Sequence, residues 1–300
     1  MSQIVALPFA VGARTLGSVR RRLVRRSLSL AEALAGVVPA LPPLPDRADG
    51  YLVTSLPASL AQRLAEGDPA LKPFVRHRYY RSYVSLETRF EDYLAAFSAK
   101  SRSTLKRKLR RLAERSGGAL DVRCYRRPDE MADFHRHARA VSALTYQERL
   151  LGAGLPEDGL ERMQALAARD GVRGWILFLD RRPISYLHAP AEVETLVYAH
   201  LGYDPAFADL SPGTVLQLEA LRHSMEERRF RLFDFTEGDG AHKTRFATGA
   251  VDCLDLLLLR RTFGNIAAAG ALAGFDAAVR AGKAAARRMR LESLARSALR

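Results

Sequence analysis

Apolar residues recur with two different periods along the chain, and glycine and proline residues mark most of the changes between them. Alternation of apolar and polar positions predicts strands, which lie at 51–56, 74–86, 119–125, 175–179, 184–189, 194–202, 231–235 and 251–259. Apolar residues three and four positions apart predict helices, which lie at 14–34, 59–66, 90–97, 101–115, 128–150, 160–169, 211–227 and 264–300. Strands interleaved with helices in this way predict a mixed α/β fold of the α+β kind.

The same pattern divides the chain into four segments. Residues 1–49 are expected to form a basic helix followed by a stiff, proline-rich linker. Two lobes are expected at 50–127 and 128–262, and a helical tail rich in Ala and Arg at 263–300. With 300 residues, of which 48% are hydrophobic, the chain is long enough for one large domain or two small ones.

Charge is distributed unevenly. The chain has 47 Lys and Arg against 33 Asp and Glu, for a net charge of +14. Residues 1–50 hold seven basic and three acidic side chains, and residues 260–300 hold nine and two. A nearly neutral body with two basic ends favours docking to anionic partners such as nucleic acid or a membrane surface. It excludes a packing protein that is basic throughout.

A third basic element lies inside the body, in the helix predicted at 101–115. Leu105, Leu109 and Leu112 share one face of that helix, and the other face is rich in Lys and Arg. The segment 100–115 carries eight basic residues and one acid, Glu114. This helix is therefore the part of the body expected to meet an anionic group.

Several function classes are excluded by absent patterns. Two cysteines are too few for a disulfide framework or a cysteine metal site, and His135 and His137 face different sides of their helix, so no metal site is predicted. The sequence has no phosphate-binding loop, dinucleotide fingerprint, zinc-protease motif or serine-hydrolase elbow. No stretch is long and apolar enough to span a membrane, so the protein is expected in the cytoplasm, with peripheral membrane contact through its basic ends.

The start of the helix at 211 is a candidate anion site. Ser211 is expected to cap the helix, Pro212 suits its first turn, Gly213 permits close approach of a ligand, and Thr214 adds a hydroxyl. Together with the main chain of Val215 these residues form a helix N-terminus, whose N–H groups and partial positive charge suit a diphosphate. The alternative is a helix start with no ligand.

Candidate bases lie on two predicted strands. Alternation along 194–202 places Tyr198 and His200 on one face, and His200 titrates near neutral pH. Asp234 lies between two phenylalanines, and a buried carboxylate there needs either a partner or a catalytic task. Each is also open to a structural interpretation, as a hydrogen-bonded histidine or as half of an ion pair.

The glycine-rich turn after that strand adds three candidates. Glu237 and His242 are candidate acceptor-binding residues, and Lys243 is a candidate contact for an anionic group of donor or acceptor. The alternative is that these side chains are solvated turn and surface residues.

Three segments, in this order, resemble the GNAT-fold acyltransferases of the CelD/FemAB-like (BioF-like acetyltransferase) group. They are the strand pair at 175–202, the Ser-Pro-Gly helix start at 211–213 and the stretch 233–246. In that group an S-P-G turn opens a helix and a strand reading D-F-x-x-G follows it, as 234–238 does here. The likeness extends over about 51–261.

Two further features bear on the likeness. The basic helix at 101–115 matches a Lys- and Arg-rich helix that precedes the same region in the group. His242 stands where the group usually has Tyr beside a lysine, here Lys243.

The resemblance implies a GNAT-type fold, with a partial second GNAT-like lobe at 50–127. It implies an N-acyltransferase that uses acyl-CoA as co-substrate, holds no permanently bound cofactor, and acylates an amine in polysaccharide or cell-envelope biosynthesis. On that basis His200, Asp234 and Lys243 are expected at the catalytic centre, Ser211, Gly213, Thr214 and Val215 at the donor, and Tyr198, Glu237 and His242 at the acceptor.

Two alternatives remain open. In the FemAB-like branch the donor is an aminoacyl-tRNA, and the basic helix also suits a donor on RNA or on a carrier protein. The other alternative is a non-catalytic module that binds nucleic acid or anionic lipid through its basic ends. The acceptor and the oligomeric state are not set by the sequence.

Overall fold

The computed structural model describes residues 2–11, 14–145, 148, 154–238 and 241–298, without the side chains of 241, 242, 283 and 286–298. The chain forms two compact units, one of Met1–Tyr80 with Val251–Arg300 and one of Arg81–Ala250. This division differs from the predicted lobes at 50–127 and 128–262. Both changes of unit fall inside strands rather than in a loop.

The strands are β1 (Ser2–Val11), β2 (Arg14–Ser27), β3 (Gly50–Pro57), β4 (Leu71–Ser85), β5 (Asp121–Tyr125), β6 (Val172–Leu179), β7 (Arg182–Glu192), β8 (Thr195–Val197), β9 (His200–Tyr203), β10 (Leu232–Asp234) and β11 (Gly249–Arg260). The α-helices are α1 (Leu30–Ala35), α2 (Ala61–Glu66), α3 (Phe90–Ala95), α4 (Ala99–Arg115), α5 (Met131–Ser142), α6 (Leu160–Ala167), α7 (Pro212–Glu227), α8 (Ala241–Phe246) and α9 (Phe263–Ala298). Short 3₁₀ turns lie at Ala58–Leu60, Pro128–Glu130 and Pro205–Leu210.

The first unit is built on strands in the order β1-β2-β3-β11-β4. Alternation along β11 sends Leu254, Leu256 and Leu258 into one apolar cluster and Leu257 and Leu259 into another. The first cluster includes residues of α2 and the second includes residues of α9, so both faces of this sheet are covered.

The helix predicted at 14–34 is wrong over β2, and only its last turn survives as α1. The strand β2 pairs antiparallel with β1 and parallel with β3, so long-range pairing supplies the backbone hydrogen bonds of this Arg-rich stretch. The adjacent residues Leu23 and Val24 are both buried, in different clusters, because successive side chains of a strand point to opposite faces. Sequence periodicity alone does not reveal such a partner strand.

The helix predicted for the C-terminal segment is confirmed as α9. It is held in the first unit by a partly buried ion pair between Arg76 and Asp276, and by Arg21 Nε, which donates to Asn265 Oδ1 over 2.9 Å. Among the helices that the structure describes, none combines the length and the apolar character needed to cross a bilayer.

The second unit is built on strands in the order β4-β10-β8-β7-β6-β5, with β9 also paired to β7. Along β6, Trp175, Leu177 and Leu179 join one core and Ile176 and Phe178 the other. Residues of α4 and α7 belong to the first core, and residues of α5 and α6 to the second. Helices therefore cover both faces of a mixed sheet.

Candidate functional site

The sheet of the second unit splits between β8–β9 and β10. The strand β8 runs parallel to β10 from Thr195, opposite Leu232, to Val197, opposite Asp234. The last bond of this ladder is from Tyr198 N–H to Asp234 C=O, at 2.8 Å. Past that point β9 is paired with β7 alone in the described structure, so its other edge borders an opening.

A β-bulge lies at the split. On β7, Ala191 is opposite Leu196 whereas His188 is opposite His200, so one extra residue has been inserted on the β8–β9 side. The bulge reverses the alternation beyond Tyr198. The prediction that Tyr198 and His200 share a face is therefore wrong: His200 stacks on His188, and Leu201 takes the face of Tyr198.

A cavity of about 320 Å³ occupies the opening. The strands contribute Tyr198, Leu201 and Tyr203 to its wall, and α8 contributes Arg245 and Phe246. The turn before α7 and the first turns of that helix contribute Ala208, Ser211, Gly213, Thr214 and Gln217. The structure thus brings Tyr198 together with three of the four residues predicted at the helix start, and places none of His200, Asp234, Glu237 and Lys243 on this wall.

The main chain at the start of α7 leaves one amide unused. The Ser211 carbonyl accepts bonds from Thr214 N–H at 3.0 Å and Val215 N–H at 3.2 Å. Pro212 has no N–H, and Gly213 N–H has no acceptor among the described residues. Gly213 therefore presents the available amide of this helix N-terminus to the cavity.

The serine at this turn does not act as expected. Ser211 adopts a left-handed conformation, with φ 55° and ψ 48°, and its side chain makes no capping bond. The predicted serine cap is wrong, and the Ser211 hydroxyl lies in the cavity wall instead. Val215 is 1% exposed and its side chain packs in the core, so only its main chain belongs to the helix start.

Gly213 is also a point of close approach. A β-carbon added there would lie 3.1 Å from Leu201 Cδ2 and 3.3 Å from Tyr203 Cδ1, tighter than ordinary van der Waals contact. Any larger side chain would push into the cavity wall. The close spacing of helix and strand therefore requires glycine at this position.

Gln217 is a cavity residue that the sequence analysis missed. It is 2% exposed, and its Nε2 amide donor has no hydrogen-bond partner in the structure. A buried donor without an acceptor is costly, and a ligand in the cavity would supply one. The sequence feature that could have identified Gln217 is its position: it is a polar residue one helical turn after Gly213, in the mostly apolar segment from Val215 to Leu221.

Cations are concentrated beside the cavity. Arg245 is part of its wall, and electrostatic repulsion from Arg245 and from Arg107 reaches Lys108 of α4. Burial, and then these two positive charges, lower the pKa of Lys108 below its ordinary value. None of the three has an acidic partner within the described ranges, so the group favours an anionic ligand.

Asp234 is fully buried and lies in an ion pair. Its carboxylate accepts bonds from Arg81 Nη2 at 2.5 Å, from Arg81 Nε at 3.1 Å and from the Thr236 N–H at 2.8 Å. Arg81 is itself 6% exposed, so each charge of the pair is neutralised inside the protein. Of the two interpretations of Asp234, the geometry favours structural pairing.

His200 lies on the face of the sheet opposite the cavity wall formed by Leu201. Its ring and that of His188 have centroids 6.0 Å apart, with planes inclined by 18°. Burial lowers the pKa of His200, and burial followed by repulsion from His200 lowers the pKa of His188 to about 3. Both rings are therefore neutral at physiological pH, and both nitrogens of His188 are buried without a hydrogen-bond partner among the described residues.

The remaining predicted residues lie in the turn after β10 and in α8. Lys243 Nζ donates to the Glu237 carbonyl at 2.5 Å, closing this turn, and the Glu237 side chain is exposed. The side chain of His242 lies outside the described residues. No group of three metal-ligating side chains with suitable spacing occurs in the described residues.

Comparison with known proteins agrees with this geometry. Residues 99–244 match the family model described as an acetyltransferase (GNAT) domain. The structure resembles FemX, with 10% identity, 86% of this chain and 88% of FemX covered, and a TM-score of 0.55. No curated protein matches the sequence.

A second solved structure has a similar fold. It is the C-terminal domain of an Agrobacterium fabrum protein named as a lysylphosphatidylglycerol synthetase, with 13% identity, 73% of this chain and 70% of that chain covered, and a TM-score of 0.51. The predicted GNAT-type mixed α/β fold is confirmed. Residues 99–244 therefore match an acetyltransferase (GNAT) domain, and the fold of the chain is similar to that of FemX.

Proposed function

We propose that the protein is an N-acyltransferase that takes its acyl group from acyl-CoA and transfers it to an amine. The observation that carries this proposal is the cavity at the split of the sheet, where the free Gly213 amide, the unpaired Gln217 amide and the Arg245 guanidinium converge. Each is a donor or a cation, and CoA is a polyanionic ligand rich in carbonyl groups.

The helix start suits the diphosphate of CoA. Gly213 N–H and the hydroxyls of Ser211 and Thr214 are donors at the positive end of α7, where an anion is favoured. Arg245, with Lys108 close by, supplies positive charge for the same group. Acyl-CoA would act as a co-substrate, released after each turnover rather than held permanently.

The free edge of β9 suits the thioester end of the donor. Asp204 N–H bonds to Ile184 C=O at 2.9 Å, and alternation from that pair directs the amides of Leu201 and Tyr203 away from β7, toward the opening. Amides fixed in this way can bind the donor's carbonyl oxygens, including the oxygen that becomes negative when the thioester is attacked.

Direct attack by the amine completes the reaction. The amine nitrogen bonds to the thioester carbon, the carbon–sulfur bond breaks, and CoA leaves as its thiol. One proton must leave the amine. His200, which is neutral and lies on the face of the sheet opposite the cavity, is the proposed acceptor, reached through a bridging water at the open edge of β9. Asp234 is a weaker choice because Arg81 already neutralises it. Lys243, Glu237 and His242 are proposed for the acceptor side of the site.

The acceptor is proposed to be an amine on a sugar nucleotide or another cell-envelope precursor. This rests on the resemblance to the CelD/FemAB-like group and on the chain's basic ends, which suit contact with anionic membranes from the cytoplasmic side. Similar structures include one named for lysylphosphatidylglycerol synthesis, whose product is a lipid.

Calorimetric titration with acetyl-CoA and with a long-chain acyl-CoA tests the donor. We expect at least one to bind, and Gly213→Val to weaken binding about tenfold because its side chain meets Leu201 and Tyr203. Gly270→Val is the matched control, since a β-carbon there meets nothing within 4 Å. Absence of binding by both ligands, or equal loss in both variants, would overturn the acyl-CoA assignment.

A further inference from the structure

A straight row of cations runs along the exposed side of α4. Lys100, Arg107, Arg111 and Arg115 are spaced by seven, four and four residues, which places them on one side of the helix over about 22 Å. Leu105 and Leu112, on the opposite side, are buried in the core shared with α7. The row is therefore held in a fixed orientation by the packing of the helix.

Most of this charge is uncompensated. Arg111 pairs with Asp209 at 2.9 Å, but Lys100, Arg107 and Arg115 are exposed and have no acidic partner in the described structure. Residues 81–250 contain 27 basic and 24 acidic side chains, and residues 100–115 alone contain eight of the basic ones and one of the acids. The rest of the unit is therefore slightly acidic, and α4 is a local positive feature.

The row lies beside the donor cavity. The ion pair between Arg111 and Asp209, with a second bond from Arg111 Nη1 to the Asp209 carbonyl at 3.2 Å, ties α4 to the turn that leads into Ser211. Lys108, next to Arg107 in the helix, lies close enough to the cavity residue Arg245 for their charges to interact. A molecule bound along the row would therefore lie next to the mouth of the cavity.

We propose that the α4 row docks a small acidic carrier protein whose phosphopantetheine arm delivers the acyl thioester into the cavity. The proposal rests on the donor site described above, since phosphopantetheine and its phosphate are common to CoA and to such carriers. Acidic side chains spaced by three or four residues lie on one side of a helix. On a helix of the carrier they would face the cations along the whole length of α4.

A protein partner fits this surface better than RNA. Proteins that bind nucleic acid spread positive charge over a wide face and add aromatic side chains on which bases stack. Here the charge is confined to one helix of an otherwise slightly acidic unit, and none of the exposed large apolar side chains in the described structure belongs to α4. A single helix-length row matches a compact helical partner.

The transfer step is the same as with free CoA. The amine nitrogen bonds to the thioester carbon, the bond from that carbon to the phosphopantetheine sulfur breaks, and the carrier leaves with a free thiol. The amine loses one proton, and the leaving phosphopantetheine thiolate gains one to become the thiol. No oxidant, reductant or further reactant is needed.

Fluorescence anisotropy with labelled acylated acyl carrier protein tests the dock on the full-length chain. The test variant is Lys100→Glu/Arg115→Glu, which alters residues without acidic partners in the described structure and leaves the Arg111–Asp209 pair and Arg107, beside the cavity, intact. The matched control is Arg169→Glu/Arg228→Glu, two exposed arginines of the same unit with the same change in charge. Acetyl-CoA and aminoacyl-tRNA are titrated in parallel.

We expect the wild type and the control to bind the carrier alike, and the α4 variant to bind it at least about tenfold more weakly while keeping its affinity for acetyl-CoA. No carrier binding by the wild type, or equal weakening in both variants, would overturn the dock. The proposal would also be overturned if tRNA bound in a way that depends on the α4 residues while the carrier protein did not bind. Carrier binding without CoA binding supports the dock and rejects free acyl-CoA as the donor.

Discussion

The rings of His188 and His200 stack on neighbouring strands with their centroids 6.0 Å apart, and His188 is only 8% exposed. The pair forms because His188 on β7 lies directly opposite His200 on β9, just past the bulge. Two imidazoles this close cannot both carry a proton at low cost, and burial opposes the charge on each. Protonation of His188 therefore affects the stability of the fold at acidic pH, and it also affects the charge of the neighbouring His200, the proposed base.

His188 is predicted to make the fold sensitive to acid. Its pKa is about 3 in the folded chain and near 6.5 when unfolded, so below pH 6.5 the unfolded chain binds a proton that the native chain does not. The free energy of unfolding should fall with pH from 6.5 toward 3, by up to roughly 1.4 kcal/mol per pH unit. Urea denaturation of His188→Phe should show a shallower fall, and identical pH slopes in both proteins would contradict this account.

His200 is predicted to cause the loss of activity at acidic pH, which is the acidic limb of the profile of kcat/KM against pH. A base must be neutral to accept a proton, and burial lowers the pKa of His200 from its ordinary value of 6.5, so activity should be lost as the pH falls below that value. The measurement is kcat/KM against pH with saturating donor. In His200→Gln the rate should fall about a hundredfold and this limb should disappear. An unchanged limb would assign the base elsewhere.

Asp234 is predicted to stabilise the fold. Asp234→Asn removes the buried carboxylate charge that pairs with Arg81, which should cost about 3–5 kcal/mol of unfolding free energy. Asp209→Asn breaks an exposed pair instead and should cost less than about 1 kcal/mol. Thermal and urea denaturation measure both. Normal stability in Asp234→Asn together with lost activity would favour the catalytic interpretation.

Gln217 is predicted to strengthen ligand binding and to destabilise the ligand-free protein. Gln217→Met keeps the approximate volume and removes the unpaired buried amide, so the ligand-free protein should gain about 1 kcal/mol of stability. Affinity for acetyl-CoA should fall about tenfold, since the amide donor is lost. Gln62→Met, on an exposed helix, is the control for both measurements. A fall in stability together with unchanged CoA affinity would contradict the assignment.

The sequence predicted most of the second unit because its elements carry local signals. The Ser-Pro-Gly helix start and the Leu face of α4 are set by neighbours along the chain, and both appear in the structure. The strand β2 was missed because its partners are β1 and β3, and pairing across the chain leaves no periodic signal in an Arg-rich segment.

The candidate site was predictable only in part, for the same reason. A bulge adds one residue between Val197 and His200, and no local pattern announces where alternation will reverse, so His200 was assigned to the wrong face. Gln217 and Arg245 join the cavity through packing between elements distant in sequence. Asp234 was recognised as needing a partner, but Arg81 lies 153 residues away.

The donor site can be tested by a crystal structure of the protein with bound acetyl-CoA. We expect the diphosphate against Gly213 N–H, with Thr214 and Arg245 in contact, and the thioester end in the split between β9 and β10 beside Tyr198. CoA bound away from this cavity, or a cavity still empty at saturating CoA, would contradict it.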